Sequence, residues 1–391
     1  MTPTEKFVSE LCELAFLPIW SYPSPIGKKG KELCDVLIVC DNDIIIISVK
    51  EIIINSKGEY EVDVDRWLKR AIDASVKQIY GAERILAIKN SVLLADRKTE
   101  VTLPNKQNRN IYRIAVAFGR GEKFPLKYGD FGKGFVHVFD EHSVQGVLKE
   151  LDTITDFVDY LKAKEEYILS GVRPLGSSEL NLLAYYMFNT CQFPKYEENL
   201  IMLDEKLWDD LLSSSEYSTY KKEIRESYIW DTLIQTLCSD LASGNLIKEI
   251  SREDMEISLR YMAKENRINR QLLSEIYLEF IGYYDTPTSR ARIANSLDNK
   301  DVVYVFLLEA PHHKTREDRH KELALRCLVA RMINKDKKRV IGIATEKYSP
   351  KGFSLDINYL YLEELTPEIH SKAVRIQQDL GYFRNPNWRN L

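Results

Sequence analysis

The chain has 391 residues and a mass of 45.5 kDa, is 44% hydrophobic and 29% charged, and carries 55 Lys+Arg against 59 Asp+Glu for a formal net charge of -4. That length predicts two or three domains, the composition is that of a folded globular protein with no disordered or low-complexity stretch, and the mild acidity excludes a uniformly basic coat while leaving room for a local basic groove. The six cysteines are scattered without paired spacing, which excludes a disulfide framework or a zinc site, and the expectation is a cytoplasmic protein with no membrane contact, since no apolar segment is long enough for a signal or a span.

In chain order, Thr2-Pro3-Thr4-Glu5 reads as a capping box with proline at the first helical position, followed by a helix whose apolar face is Phe7, Val8, Leu11, Cys12, Leu14 and Ala15 and which ends before Pro18. Trp20 to Lys31 reads as a loop bringing Lys28, Lys29 and Lys31 up to the next element. Val36 to Cys40 and Ile44 to Lys50 are short β-branched runs around an Asp-Asn-Asp turn, the pattern of a hairpin buried on both faces. The second strand is expected to run on to Ile54 and to turn at Asn55-Ser56-Lys57-Gly58. A long helix is predicted from about Val64 to Ile88, with Trp67, Leu68, Ala71, Ile72, Val76, Ile79 and Leu86 as core and Arg70, Lys77 and Arg84 as a basic stripe. Strands follow at 110–118 and 135–139 and helices at 143–151 and 155–169, a mixed α/β layer fold for residues 1–170.

The Gly, Pro and Ser of 171–178 predict a linker, so residues 171–391 are expected to form a second, helical plus α/β domain with a sub-boundary near 298. Its helical part should be anchored by Trp208 and Trp230; strands at 302–308 and 339–344 around a helix at 316–333 predict a parallel pair, with a last strand near 353–362 and a helix from Pro367. His312, His313 and His320 lack the acidic neighbours of a metal site, and the basic residues of the 316–333 helix read as a solvated face. No phosphate-binding glycine loop and no serine nucleophile motif is present.

The chemistry converges on the hairpin. Alternation puts Ser48 and Lys50 on one face of the second strand and Val49 and Glu51 on the other, and a lysine ending a buried apolar strand calls for a partner, for which Asp35 is nearest. Phosphodiester hydrolysis assisted by a divalent cation needs carboxylate oxygens for the metal and a positive group for the phosphate, and two adjacent strands can deliver both.

An acid before the first strand, a lysine at the end of the second and a following helix resemble the active site of the PD-(D/E)xK, restriction-endonuclease-like nucleases. The resemblance covers residues 1–170 and implies an α-β-β-β-α-β domain with a mixed sheet, followed by a mostly helical region and a small α/β unit. It implies a metal-dependent DNA nuclease using Mg²⁺ or Mn²⁺, with a role in host defence by analogy and RNA not excluded. Asp35 matches the first acid and Lys50 the lysine, while Ser48 stands where the second acid is expected. The missing acid would come from Asp63 or Asp65 in the following helix, with Glu10 as the acid of the first helix, Glu13 behind it and Glu32 a further candidate; Gln78 matches a helix glutamine of such sites. Lys28, Lys29, Lys31, Arg70, Lys77 and Arg84 would contact nucleic acid, and the C-terminal half would bind a partner protein or a second copy. The alternative is a non-catalytic scaffold that keeps the fold and binds nucleic acid or protein after losing the acid at position 48.

Overall fold

The computed structural model describes residues 1–53, 59–119, 126–175, 178–195, 200–244, 250–282, 289–309, 315–346 and 354–384. The turn expected at 55–58 and the pair His312 and His313 lie outside the described residues. The fold is mixed α/β and divides into two compact units, Met1–Thr219 and Tyr220–Leu391.

In the first unit α1 (Pro3–Phe16) starts on the expected capping box: Thr2 Oγ1 accepts the Glu5 N–H, and Glu5 Oε2 accepts the Thr2 N–H at 2.7 Å, so two donors that no helical carbonyl can reach are satisfied. Its buried face is Val8, Ser9, Cys12, Ala15 and Phe16, which includes Val8, Cys12 and Ala15 of the expected set but not Leu14, which is 77% exposed. The segment expected as loop contains β1 (Ser21–Pro23), an edge strand short enough to accept proline at its end. β2 (Val36–Cys40) and β3 (Asp43–Glu51) pair antiparallel through a two-residue turn in which Asp41 takes a φ of 55°, the conformation that favours Asp and Asn at such positions.

The predicted long helix begins earlier than expected, as α2 (Tyr60–Trp67), passes through a π-helical stretch (Leu68–Asp73), and continues as α3 (Ala74–Leu86). A two-stranded ribbon absent from the sequence reading, β4 (Ser91–Leu93) with β5 (Glu100–Thr102), precedes β6 (Asn110–Phe118), β7 (Gly129–Asp130) and β8 (Phe135–Phe139). The main sheet runs β1-β2-β3-β6-β8-β7, with β3, β6 and β8 mutually parallel and the outer pairs antiparallel. One face carries Leu37, Val39, Ile44, Ile46, Ala115, Ala117, Val136 and Val138, packed under Trp67, Ala71, Ile72, Val76, Ile79, Ala82 and Leu86 of the long helix. The opposite face meets α1 through the Phe7–Phe118 edge contact and α5 through Lys164 over the Phe139 ring. Burial on both faces is why these strands read as continuous apolar runs rather than alternating ones.

α4 (Glu141–Glu150) and α5 (Ile154–Leu169) follow, then β9 (Arg173–Leu175), α6 (Glu179–Phe188), β10 (Leu200–Met202), α7 (Leu207–Ser213) and α8 (Ser215–Glu223), which crosses the division between the units. The expected boundary at 171 therefore falls inside the first unit. Lys164 of α5 is fully buried and bonded to Glu179 of α6 at 2.5 Å, and Tyr160 Oη donates to the same carboxylate at 2.6 Å, so the polar stretch between the two helices links packed elements instead of separating domains. Burial lowers the Lys164 pKa, opposed by Glu179, and removing either partner would strand a buried charge.

The second unit holds α9 (Tyr228–Ser243), α10 (Arg252–Ala263) and α11 (Arg267–Ile281), then β11 (Arg290–Asn295), β12 (Val302–Leu308), α12 (Arg316–Ile333), β13 (Arg339–Thr345), β14 (Leu355–Tyr361) and α13 (Pro367–Leu380). The sheet order is β11-β12-β13-β14, with the predicted parallel β12–β13 pair flanked by antiparallel ones; β11 was not foreseen, and position 298 lies between two paired strands. α12 packs Leu323, Cys327 and Ala330 on Val303, Val305, Val340 and Ala344, while Trp230 stands edge-on to Tyr304. Trp230 is fully buried, as expected of an anchor, whereas Trp208 is only half-buried. No helix among the described residues is long and apolar enough to cross a membrane.

Candidate functional site

The site is assembled where the β2–β3 hairpin leaves the sheet. Asp35 precedes β2 but already pairs with β3, its N–H bonding Ile47 O at 3.1 Å, so strand alternation turns its side chain to the long-helix face with Leu37 and Val39. Ile44 and Ile46 share that face, so the even-numbered Ser48 and Lys50 do too. The outcome is direct contact: Lys50 Nζ lies 3.7 Å from Asp35 Oδ2, which also accepts the Val49 N–H at 2.5 Å. Asp35 is 1% exposed, while the Lys50 side chain is 30% exposed and reaches solvent at the end of the strand.

Burial raises the Asp35 pKa; the Val49 N–H and Lys50 pull it back, and Glu5 and Glu32 push it up again. Those two carboxylates therefore stand close enough to be felt at Asp35. Glu32 was a candidate; Glu5 was missed, because its position in the capping box accounts for it fully as a local structural residue. Ser48 is fully buried, and its Oγ donates to Gln78 Oε1 of α3 at 3.1 Å, which brings the helix glutamine to the site. Cys34 beside Asp35 is buried and its thiol pKa is raised well above the usual range by desolvation, with Asp35 and Glu32 adding to it, so it is an inert core thiol.

The other acids are placed differently. Glu10 projects from the solvent face of α1 and pairs with Lys6 at 3.6 Å, so it is not the acid delivered by the first helix; Glu13 accepts a bond from Ser9 at 3.4 Å. Asp65 is exposed and holds Lys69 at 2.6 Å. Asp63 alone among the proposed helix acids is turned inward, 4% exposed, with Arg66 at 3.5 Å. Among the described residues, no group of three or more His, Cys, Asp and Glu side chains could hold a metal ion. The oxygen donors present at the hairpin are the Asp35 carboxylate and the Ser48 hydroxyl; Asp63, the inward helix acid, is engaged by Arg66. The hairpin pair are hard ligands of the kind Mg²⁺ accepts when substrate phosphate and water complete its shell.

Lys28, Lys29 and Lys31 are exposed on the loop leading into Asp35, and Arg70, Lys77 and Arg84 are exposed along the long helix. The π-helical stretch widens the turn around Arg70, so the seven-residue spacing stacks Lys77 and Arg84 on one line but turns Arg70 off it. His320 is buried on α12. Compared with models of protein families, with curated proteins and with solved structures, the chain matches none.

Proposed function

We propose that the N-terminal unit is a nuclease of the PD-(D/E)xK kind, hydrolysing phosphodiester bonds in DNA. The observation that supports it is the meeting of Asp35 and Lys50 at 3.7 Å on one face of the hairpin, with Ser48 and Gln78 beside them. Lys50, whose head reaches solvent at the strand end, would sit against the scissile phosphate and offset the negative charge that grows on its oxygens. Asp35, anchored by the Val49 N–H, holds that lysine in place and turns an oxygen toward the same spot. The Ser48–Gln78 bond fixes the floor of the site. Asp35 is the carboxylate at the hairpin that would hold Mg²⁺ or Mn²⁺, and the ion when bound would supply an activated water and a Lewis acid.

A second reading, a nucleic-acid-binding scaffold without catalysis, is favoured by Ser48, whose hydroxyl replaces a carboxylate ligand and is already engaged by Gln78. One experiment separates the two. Supercoiled plasmid and linear DNA are incubated with the full chain in Mg²⁺ or Mn²⁺, beside Lys50→Ala. Nicking by the wild type that drops by about a thousandfold in the variant, the scale of losing a charge-stabilising group and its neighbour's positioning, supports the nuclease. Cleavage unchanged in Lys50→Ala places the chemistry elsewhere, and salt-sensitive binding with no cleavage by either protein selects the scaffold.

A further inference from the structure

The loop that carries Lys28, Lys29 and Lys31 is not alone at its end of the sheet. Ile26 forms antiparallel bridges to both Glu32 and Leu93, and its N–H bonds Leu93 O at 2.8 Å, so the loop is stitched to the β4–β5 ribbon. Within the loop, Gly27 N–H bonds Lys31 O at 2.7 Å and Leu33 N–H bonds Pro25 O at 2.7 Å. The ribbon's tip carries Arg97 and Lys98, and a Cβ on Gly30 would lie 3.9 Å from Arg97 Nη1. Two basic loops distant in sequence thus touch side by side. All five cations are exposed, and none has an ion-pair partner among the described residues.

Nearby acids do not cancel this charge where it faces solvent. Asp96, whose pKa is lowered to about 2, is turned into its own turn, accepting from Thr99 Oγ1 at 2.6 Å and from the N–H groups of Lys98 and Thr99 at 2.9 Å each. Glu32 is exposed beside Lys31, one carboxylate against the five cations, and is also felt by Asp35 and Cys34. Lys29 and Arg97 both adopt positive φ, 56° and 57°, placing a long cation at the apex of each turn where glycine or asparagine would be the unstrained choice. The loop runs directly into Asp35, so the surface adjoins the hairpin site.

We propose that Lys28, Lys29 and Lys31 with Arg97 and Lys98 form one two-loop clamp on the sugar–phosphate backbone of duplex DNA, next to the Asp35–Lys50 site. The inference rests on the nuclease reading for its choice of partner, and it extends that reading by assigning the β4–β5 tip, which no sequence motif marks. Five exposed cations on two adjoining loops, four of them lysines that act as flexible point charges, fit contacts to phosphates that position the duplex. Each such contact contributes roughly 0.9 to the slope of log K against log salt.

The test is fluorescence anisotropy of the full chain on a labelled random-sequence duplex across a salt series, with chelator present so that cleavage does not interfere. Arg97→Gln/Lys98→Gln is compared with Lys28→Gln/Lys29→Gln/Lys31→Gln and with a control that neutralises the exposed Lys321 and Lys335; far-UV circular dichroism checks that each folds. The expected result is a slope reduced by about 2 in the ribbon variant and by about 3 in the loop variant, and unchanged in the control. Duplex binding with an unchanged slope in the ribbon variant overturns the clamp while leaving the nuclease reading to the Lys50→Ala cleavage assay. Failure of the wild type to bind duplex, with Arg97- and Lys98-dependent binding to phosphatidylserine vesicles instead, overturns it in favour of a lipid surface. Plasmid cleavage that persists without any duplex-binding loss in either loop variant overturns it as well.

Discussion

Each unit of this protein buries an aspartate beside a basic residue at the end of a strand, and the two are built to opposite ends. Asp356 on β14 has both oxygens held: Arg316 Nε donates to one at 2.5 Å and Arg319 Nε to the other at 2.5 Å, while the same guanidinium groups reach Leu355 O and Ser354 Oγ. Arg319 is itself 1% exposed. Asp35 has a single backbone N–H and a lysine at 3.7 Å whose head is part-way into water. A rigid fork that satisfies every acceptor is a brace; a point charge on a flexible stem, loosely held, can be lent to a substrate. Burial of an acid is common to both places, so what separates a structural pair from a working one is how completely its partners are used up.

The contrast can be broken at its stronger end first. Arg319→Ala strands Asp356 with one partner and should destabilise the second unit by about 3–5 kcal/mol, read as a lower urea midpoint in hydrogen exchange of the α12 and β14 amides, whereas Lys50→Ala should cost no more than about 1 kcal/mol in the first unit. Equal losses at the two sites would remove the distinction drawn here. Next in size, Ser48→Asp puts a second carboxylate into a fully buried position near Asp35 and should cost about 2 kcal/mol in chelator; millimolar Mg²⁺ should restore about that much by binding the folded state alone. Stability that ignores Mg²⁺ in this variant would count against the hairpin as a metal site.

The smallest effect is on pH dependence. Because burial raises the Asp35 pKa, the folded state holds this proton where the unfolded chain has lost it, and stability falls as pH rises from the usual carboxylate range through the raised value. Asp35→Asn should lack that fall and be at least as stable as the wild type at neutral pH while losing cleavage. Denaturant midpoints of both proteins measured from pH 4 to 7 give the comparison, and a fall retained in the variant would assign the titration to another group.

Local signals in the sequence carried much of the fold. The capping box at Thr2, the β-branched runs of β2, β3, β6 and β12, and the proline that opens α13 each act over a few residues, and each element stands close to where those residues place it. Weak or nonlocal elements were not legible. β1, β4 and β11 are short or polar strands held by a neighbour's backbone, and nothing in 171–178 announces that Lys164 and Glu179 lock the helices on either side of it. Along α1 the apolar count favoured Leu14, but packing chose the face through Ser9 and left Leu14 in water.

At the hairpin the same line divides what was determined where. The sequence alone determined that Ser48 and Lys50 share a face, because strand alternation is a property of the backbone; the hairpin register, with Val36 opposite Ile47, then put Asp35 on the same face. Tertiary structure decided which distant groups join them: Gln78 into the site, Glu10 and Asp65 out to solvent, and Arg97 and Lys98 alongside the lysine loop. Those choices depend on how far each helix is rotated as it packs and on which loops a ribbon's backbone can reach. Spacing along the chain encodes neither.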